Sequence, residues 1–215
     1  MGTPTPSSRP ARGRNPRGQG ERLRAEVVAA TLRMLDGLGD DQALSLRAVA
    51  REVGVAATSV YLHFPDRDAL VLAALEHCHR TLLDALREAE AAAGDPVARL
   101  RGRVLVLGAW AHEHPGLYRV LHASALNRHA AAPFQEELGR ATTAAVRACM
   151  DAGLAAPDDA AAVALDLRAA VHGAVSMRVD RPDLAWPPLA EQVDRFLHKL
   201  LGTPAPAAGK RPTGD

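Results

Sequence analysis

The side chains here with most chemical reach are histidines and carboxylates. His112 and His114 flank Glu113, with His122 and His129 further on, a pattern that invites a metal reading. Residues two apart on a helix point about 200° from one another, so His112 and His114 cannot easily share one ion. Adjacent carboxylates stand at Asp158–Asp159 and Glu136–Glu137. At helix starts they suit the positive end of the helix dipole better than acid–base catalysis. There is no glycine-rich phosphate loop, nucleophile elbow or HExxH pattern, so no enzymatic activity, metal or cofactor is expected. Cys78 and Cys149 lie in different helical segments and read as free thiols of a reducing, cytoplasmic setting. What remains is a set of residues suited to recognition. Thr58, Ser59, Tyr61 and His63 form a tight polar group, and Trp110, Tyr118, Met150 and His172 are scattered through the second half.

The elements that must position these residues are helices. Only 3% of the 215 residues are aromatic although 47% are apolar, and Ala and Leu supply most of that share. Ala and Leu lose little in a helix, whereas strands favour β-branched and aromatic side chains. No alternating strand pattern occurs, and the spacing predicts an all-α chain of about nine helices. Leu23, Val27, Ala30, Met34 and Leu38 share one face of the first. Ser45 is placed to cap a short second helix carrying Leu46, Val49, Ala50 and Val53, which Gly54 ends. A third short helix is predicted from Ala57 to Phe64. Pro65 and Asp66 break the chain before a long helix beginning at Arg67. Five more are predicted: from Pro96, from Pro115 to about Ala125, from Pro133 to Asp151, from Asp158 to about Val179, and from Pro188 to Leu201. No apolar run reaches the roughly 18 to 20 residues of a membrane span.

Residues 1–20 carry Arg9, Arg12, Arg14 and Arg17 among Pro and Gly and read as a disordered basic arm, either inert or attracted to phosphate. A disordered tail is expected over 202–215. A formal net charge of +1 excludes a protein coating nucleic acid over its whole surface, so any basic footprint is local. Arginines outnumber lysines 24 to 2, so a single arginine is a weak signal.

Two short helices joined at Gly54–Val55 and braced by an amphipathic helix make a helix-turn-helix over 21–66, with a larger helical domain over 67–201. Ala57, Thr58 and Ser59 stand at the end of the second short helix that enters the DNA groove. Thr58 and Ser59 can offer hydroxyls, Tyr61 and His63 face the flank, and Val60 and Phe64 belong to the core. The run Ser45 to Leu70, SLRAVAREVGVAATSVYLHFPDRDAL, resembles the TetR/AcrR family of transcriptional regulators. Ser45, Val49, Ala50, Val53, Gly54, Val55, Val60, Tyr61, His63, Phe64 and Leu70 stand at matching positions, and Arg67 replaces the usual Lys. The sequence departs from the pattern at Ala56, where a capping Ser is common, and at Thr58, where Gly is common. The resemblance implies DNA contacts from Ser45, Arg47, Ala57, Thr58, Ser59, Tyr61, His63 and Arg67.

The later stretch around Trp110, His112 and His114, with His172–Gly173, is similar to the Trp-and-His-Gly C-terminal domain of some family members and implies a ligand-binding and dimerisation domain. Trp110, Tyr118, Met150 and His172 are candidates to line a pocket, since aromatic and Met side chains fill irregular cavities and a His can orient a ligand. Ordinary helix packing would use the same residues. The family's usual dimer interface implies a second copy against Leu165, Ala169, Val193, Phe196 and Leu200. The expectation is a cytoplasmic homodimer, a repressor of a pseudo-palindromic DNA operator released by a small-molecule effector, with no membrane partner. The alternatives are an activator, a regulator that senses no ligand, and a helical binding protein without operator binding.

Overall fold

The computed structural model describes residues 19–202, without the side chains of 129 and 130. The basic arm and the C-terminal tail lie outside the described residues, except that residues 19 and 20 open the first helix and Gly202 closes the last. Ten α-helices and no strands make up the described chain. They are α1 Gln19–Leu38, α2 Leu46–Val53, α3 Ala57–Tyr61, α4 Arg67–Ala91, α5 Pro96–Glu113, α6 Pro115–Ala123, α7 Ala125–Ala130, α8 Ala132–Asp151, α9 Ala160–Asp180 and α10 Leu189–Leu201.

The helix beyond the expected nine is α7. Ser124 adopts an extended backbone (ψ 129°) that ends α6, and its hydroxyl accepts from Asn127 N in the first turn of the next helix. Asn127 is itself buried and donates back to Leu121 O at 2.6 Å. A buried Asn that satisfies a broken helix end leaves no trace in hydrophobic spacing, which is why the sequence reading ends one helix at about Ala125 and assigns none before Pro133.

Several helix starts are set by one side chain. Asp66, Asp95 and Asp159 each accept a backbone N–H in the first turn of α4, α5 and α9, and Ser45 does the same for α2. Gly54 ends α2 in the left-handed region at φ 77°, where its lack of a Cβ removes the steric penalty. α3 is shorter than expected, stopping at Tyr61 because Leu62, His63 and Phe64 close it as turns before Pro65.

Two main cores share α6. The N-terminal core gathers Val27, Leu35, Val49, Val60, Phe64 and the first turns of α4 (Leu70, Val71, Ala74, Leu75), and it takes in Leu117 and Val120 of α6. The C-terminal core gathers Leu100, Val146, Leu167, Val171, Val193 and Leu197, and it includes Tyr118 of α6. A smaller cluster, Leu82, Leu83, Leu86 and Phe134, joins α4 to α8.

The expectation that no apolar segment is long enough to span a membrane needs one correction. Among the described helices α9 meets that test by length and composition, over a window with a mean hydropathy of 1.2. Its buried positions, including Val163, Leu167, Val171 and Val175, belong to the C-terminal core, as in a helix packed inside a protein.

Candidate functional site

The first surface is built on α3. Val60 is wholly enclosed and Phe64 is 3% exposed, so α3 is pinned to the N-terminal core by its inner side. Thr58 and Tyr61 face outward, with Ser59 partly covered. Ala57 is half-buried against the same core. His63 is partly covered, its ring 6.5 Å from that of Phe64, and Arg24 lies over the other ring at 5.2 Å. Ala56 supplies no side-chain cap, so the first turn of α3 lacks a side-chain acceptor for its N–H groups. Leu62, at the end of α3, is 86% exposed. Neither spacing nor motif singles it out, because an apolar residue at this position looks like core until the helix ends one residue earlier.

Arg47 is exposed on α2 and has no ion-pair partner among the described residues. Ser45 spends its hydroxyl on Ala48 N at 3.2 Å, as the cap of α2. Arg67 differs most from expectation. Its Nη1 donates to Asp41 O at 2.6 Å and stands 3.5 Å from the Asp41 carboxylate, and its Nη2 donates to Asp68 at 2.6 Å. The guanidinium therefore ties the start of α4 to the turn before α2, and it sets how the helix-turn-helix sits rather than reaching outward.

The second feature is a cavity of about 380 Å³ between α4, α5, α6, α8 and α9. Trp110, Tyr118 and His172 line it, whereas Met150 does not. Met150 packs on the C-terminal core instead, because its place on α8 turns it away from the face that bears Phe134, Leu138 and Thr142. Tyr118 Oη lies 2.7 Å from His172 Nδ1, and the His122 ring is 4.4 Å from both rings. Burial, with lesser contributions from His172 and His79, holds His122 neutral down to about pH 4. Burial alone does the same for His79, which stacks flat on Phe134 at 4.2 Å between ring centres. Leu165, Ala169 and His172 are exposed while lining the cavity, so its mouth runs along that side of α9. Among the described residues no three His, Cys, Asp or Glu side chains gather as metal ligands would.

Sequence reasoning did not single out His79, Arg103, Phe134 and Arg168 as lining residues. Arg103 carried a readable signal: it falls between Leu100 and Leu107 on the apolar stripe of α5, where a charge needs a reason.

The two surfaces are joined where α1 meets α6. Asp36, near the end of α1, accepts from Gly116 N and Leu117 N at 3.0 Å each through one oxygen. Its other oxygen lies 3.0 Å from His114 Nδ1. The carboxylate so placed caps α6 and meets its dipole.

Of the expected dimer residues, Leu165 and Ala169 are exposed on α9, and Phe196 and Leu200 are half-buried on α10. Val193 is 1% exposed and sits in the chain's own core, because α10 turns that stripe toward α5 and α9; it has no surface to offer a second copy.

Comparison with known proteins places both parts. Residues 40–74 match the family model for bacterial regulatory proteins of the tetR family, and residues 104–203 match a tetracyclin repressor-like C-terminal domain. Together the two matches cover more than half of the chain. The nucleoid occlusion factor SlmA of Escherichia coli is 29% identical over 103 residues, or 48% of this chain and 52% of SlmA. The chain thus matches about half the length of that relative. A protein of unknown function from Rhodococcus sp. RHA1 is 28% identical and superposes with a TM-score of 0.69 over 87% of this chain and 100% of that one. The regulator FadR from Bacillus subtilis, solved with stearoyl-CoA, shares the fold at 12% identity, with a TM-score of 0.69 over 82% and 97% of the two chains.

Proposed function

The chain belongs to the TetR family of bacterial regulatory proteins, and on that premise we propose that it is a cytoplasmic, dimeric transcriptional repressor that leaves its operator when a small molecule fills the cavity. The observation that carries this reading is α3: a five-residue helix held by Val60 and Phe64, with Thr58 and Tyr61 turned outward. That outer side is free to enter a groove, and a major groove admits a helix of this width. Thr58 and Ser59 read bases, Tyr61 and His63 hold the flanks, and Arg47 meets a phosphate. Arg67 acts one step back, through Asp41.

A second copy would pack on the exposed face of α9, where Leu165 and Met177 are 63% and 54% exposed, with Phe196 and Leu200 of α10 beside it. Two recognition helices related by two-fold symmetry would then meet half-sites about one turn of DNA apart. Release follows from α6, whose Tyr118 faces the cavity while its first turn is held by Asp36 of α1. A ligand that binds better when α6 shifts pulls α1 and the reading helices out of register, and DNA affinity falls by the ligand's preference for that state. Solved examples of this fold include one in complex with stearoyl-CoA, which supports a small-molecule effector.

Selection of bound duplexes from random DNA tests the reading. The expected result is a pseudo-palindrome, bound at least tenfold more weakly by Tyr61→Ala of unchanged oligomeric state. No enriched sequence, or full binding by that variant, would overturn it.

A further inference from the structure

The cavity is apolar apart from a few groups, and one of these is placed unusually. Arg103 on α5 is 4% exposed, lines the cavity, and donates through Nη1 to Glu90 at 2.5 Å. Its Nε and Nη2 are enclosed and bonded to nothing. These two nitrogens form the side of a guanidinium that meets a carboxylate with two parallel hydrogen bonds. Elsewhere in the chain Arg101 uses that same pair on Asp194, at 2.5 and 3.1 Å. Leaving such a fork empty in a buried place is costly, because each unmade bond keeps its full desolvation penalty.

Charge around the cavity points the same way. No carboxylate lines it. Glu90 balances Arg103, but Arg168, the second lining cation, donates only to the neutral Gln135, at 3.0 Å. His79 and His122 are neutral at physiological pH and add no charge. The surrounding walls are Leu82, Leu86, Leu107, Leu138 and Phe134, which can offer a ligand apolar surface and no hydrogen bonds.

We propose that the effector is an apolar monocarboxylate, its hydrocarbon part along the leucines of α4, α5 and α8 and its carboxylate paired with Arg103, whose side chain turns its enclosed Nε and Nη2 toward the cavity as the ligand enters. This rests on the effector reading above and names the chemistry of that site. A cavity of 150 Å³ holds one benzene in another protein, so about 380 Å³ takes roughly 15 heavy atoms by proportion. A saturated acid of ten carbons fits within that.

The test is calorimetric titration of the full chain with decanoate, decanol and decylamine at neutral pH, alongside release of the selected operator. Decanoate should bind at least tenfold tighter than decanol, and decylamine not at all. Arg103→Lys, which can still pair with Glu90 but has no fork, should shrink that preference, and Arg103→Met should abolish it. Equal binding of decanoate and decanol by the parent would overturn the assignment and make the fork's partner water; release of DNA by decanol would then leave the effector reading standing. Preference for decanoate retained in folded Arg103→Met would overturn it too. Binding of none of the three, with the parent folded, would overturn this assignment, and a broader ligand screen that also failed to release DNA would overturn the effector reading.

Discussion

Replacing Gly116 with alanine isolates the joint between the two halves of the molecule. A Cβ at this position would lie 1.7 Å from Asp36 O and 2.6 Å from its carbonyl carbon, both backbone atoms that cannot rotate away. Real Cβ atoms do not approach oxygen closer than 3.0 Å, so the start of α6 must retreat from α1 by about 1.3 Å. The bonds from Gly116 N and Leu117 N to Asp36 stand at 3.0 Å, and a retreat of that size takes both beyond hydrogen-bonding distance. Each is a bond to a charged group, worth about 1.5–3 kcal/mol, and partial relaxation brings the expected loss to about 3 kcal/mol for the pair. For a domain of this size that lowers Tm by roughly 6–12 °C. Differential scanning calorimetry measures this, and operator binding well below the transition should weaken as well, since α1 carries the reading helices. Gly37→Ala is the matched control. It lies one residue from Asp36 in a helical conformation with open space around its Cβ, so it should gain about 0.5–1 kcal/mol. A Gly116→Ala protein that melts within about 2 °C of the parent and binds operator equally would refute the reasoning, because the joint would then be slack.

Four further outcomes are expected. Arg47→Ala should flatten the plot of log affinity against log salt by about 0.9 for each phosphate deprived of its arginine, about 1.8 for a dimer, while Arg67→Ala should lower Tm because buried Asp41 loses its cationic partner and keeps only the Gln42 amide. Ala56→Ser should supply the cap that α3 lacks, stabilising by about 1 kcal/mol and raising Tm by roughly 2–4 °C in a thermal melt. His79 takes its proton near pH 4 in the folded chain and near 6.5 in the unfolded one, so the stability present above pH 6.5 is lost as pH falls toward 4, by about 2 kcal/mol at pH 5. His79→Phe should therefore show a Tm drop between pH 7 and pH 5 that is smaller by roughly 4–8 °C, and an unchanged drop would count against burial as the cause.

The helix-turn-helix was legible because its signals are local. Ser45 caps, Gly54 turns, Val60 and Phe64 anchor, and each acts on residues within a turn or two of itself. The roles of Arg67 and Arg103 were not legible in the same way. Arg67 reads as a surface charge until Asp41, 26 residues earlier, is seen to hold it. Arg103 reads as an interruption of an apolar stripe until α4 brings Glu90 beside it and the cavity opens. Val193 and Met150 failed for a related reason. Periodicity gives the apolar face of a helix but not which neighbour that face meets, so a residue of the chain's own core is indistinguishable from one offered to a ligand or to a second copy.

The same distinction explains why one helix can couple two sites. In α6, Leu117 lies in the N-terminal core and Tyr118, the next residue, lies in the cavity wall. Successive helical residues point about 100° apart, so a nine-residue helix presents one face to each body with no intervening element. A rotation of α6 that suits a ligand at Tyr118 and His172 must move Leu117 against the packed residues of α1 and α4, or break the Asp36 cap. Packed cores resist gradual deformation, so the shift favours two discrete arrangements over a continuum. Coupling of this kind depends on how tightly Gly116 fits against Asp36. Alanine at Gly116 should therefore weaken the ligand's effect on DNA affinity as well as DNA affinity itself.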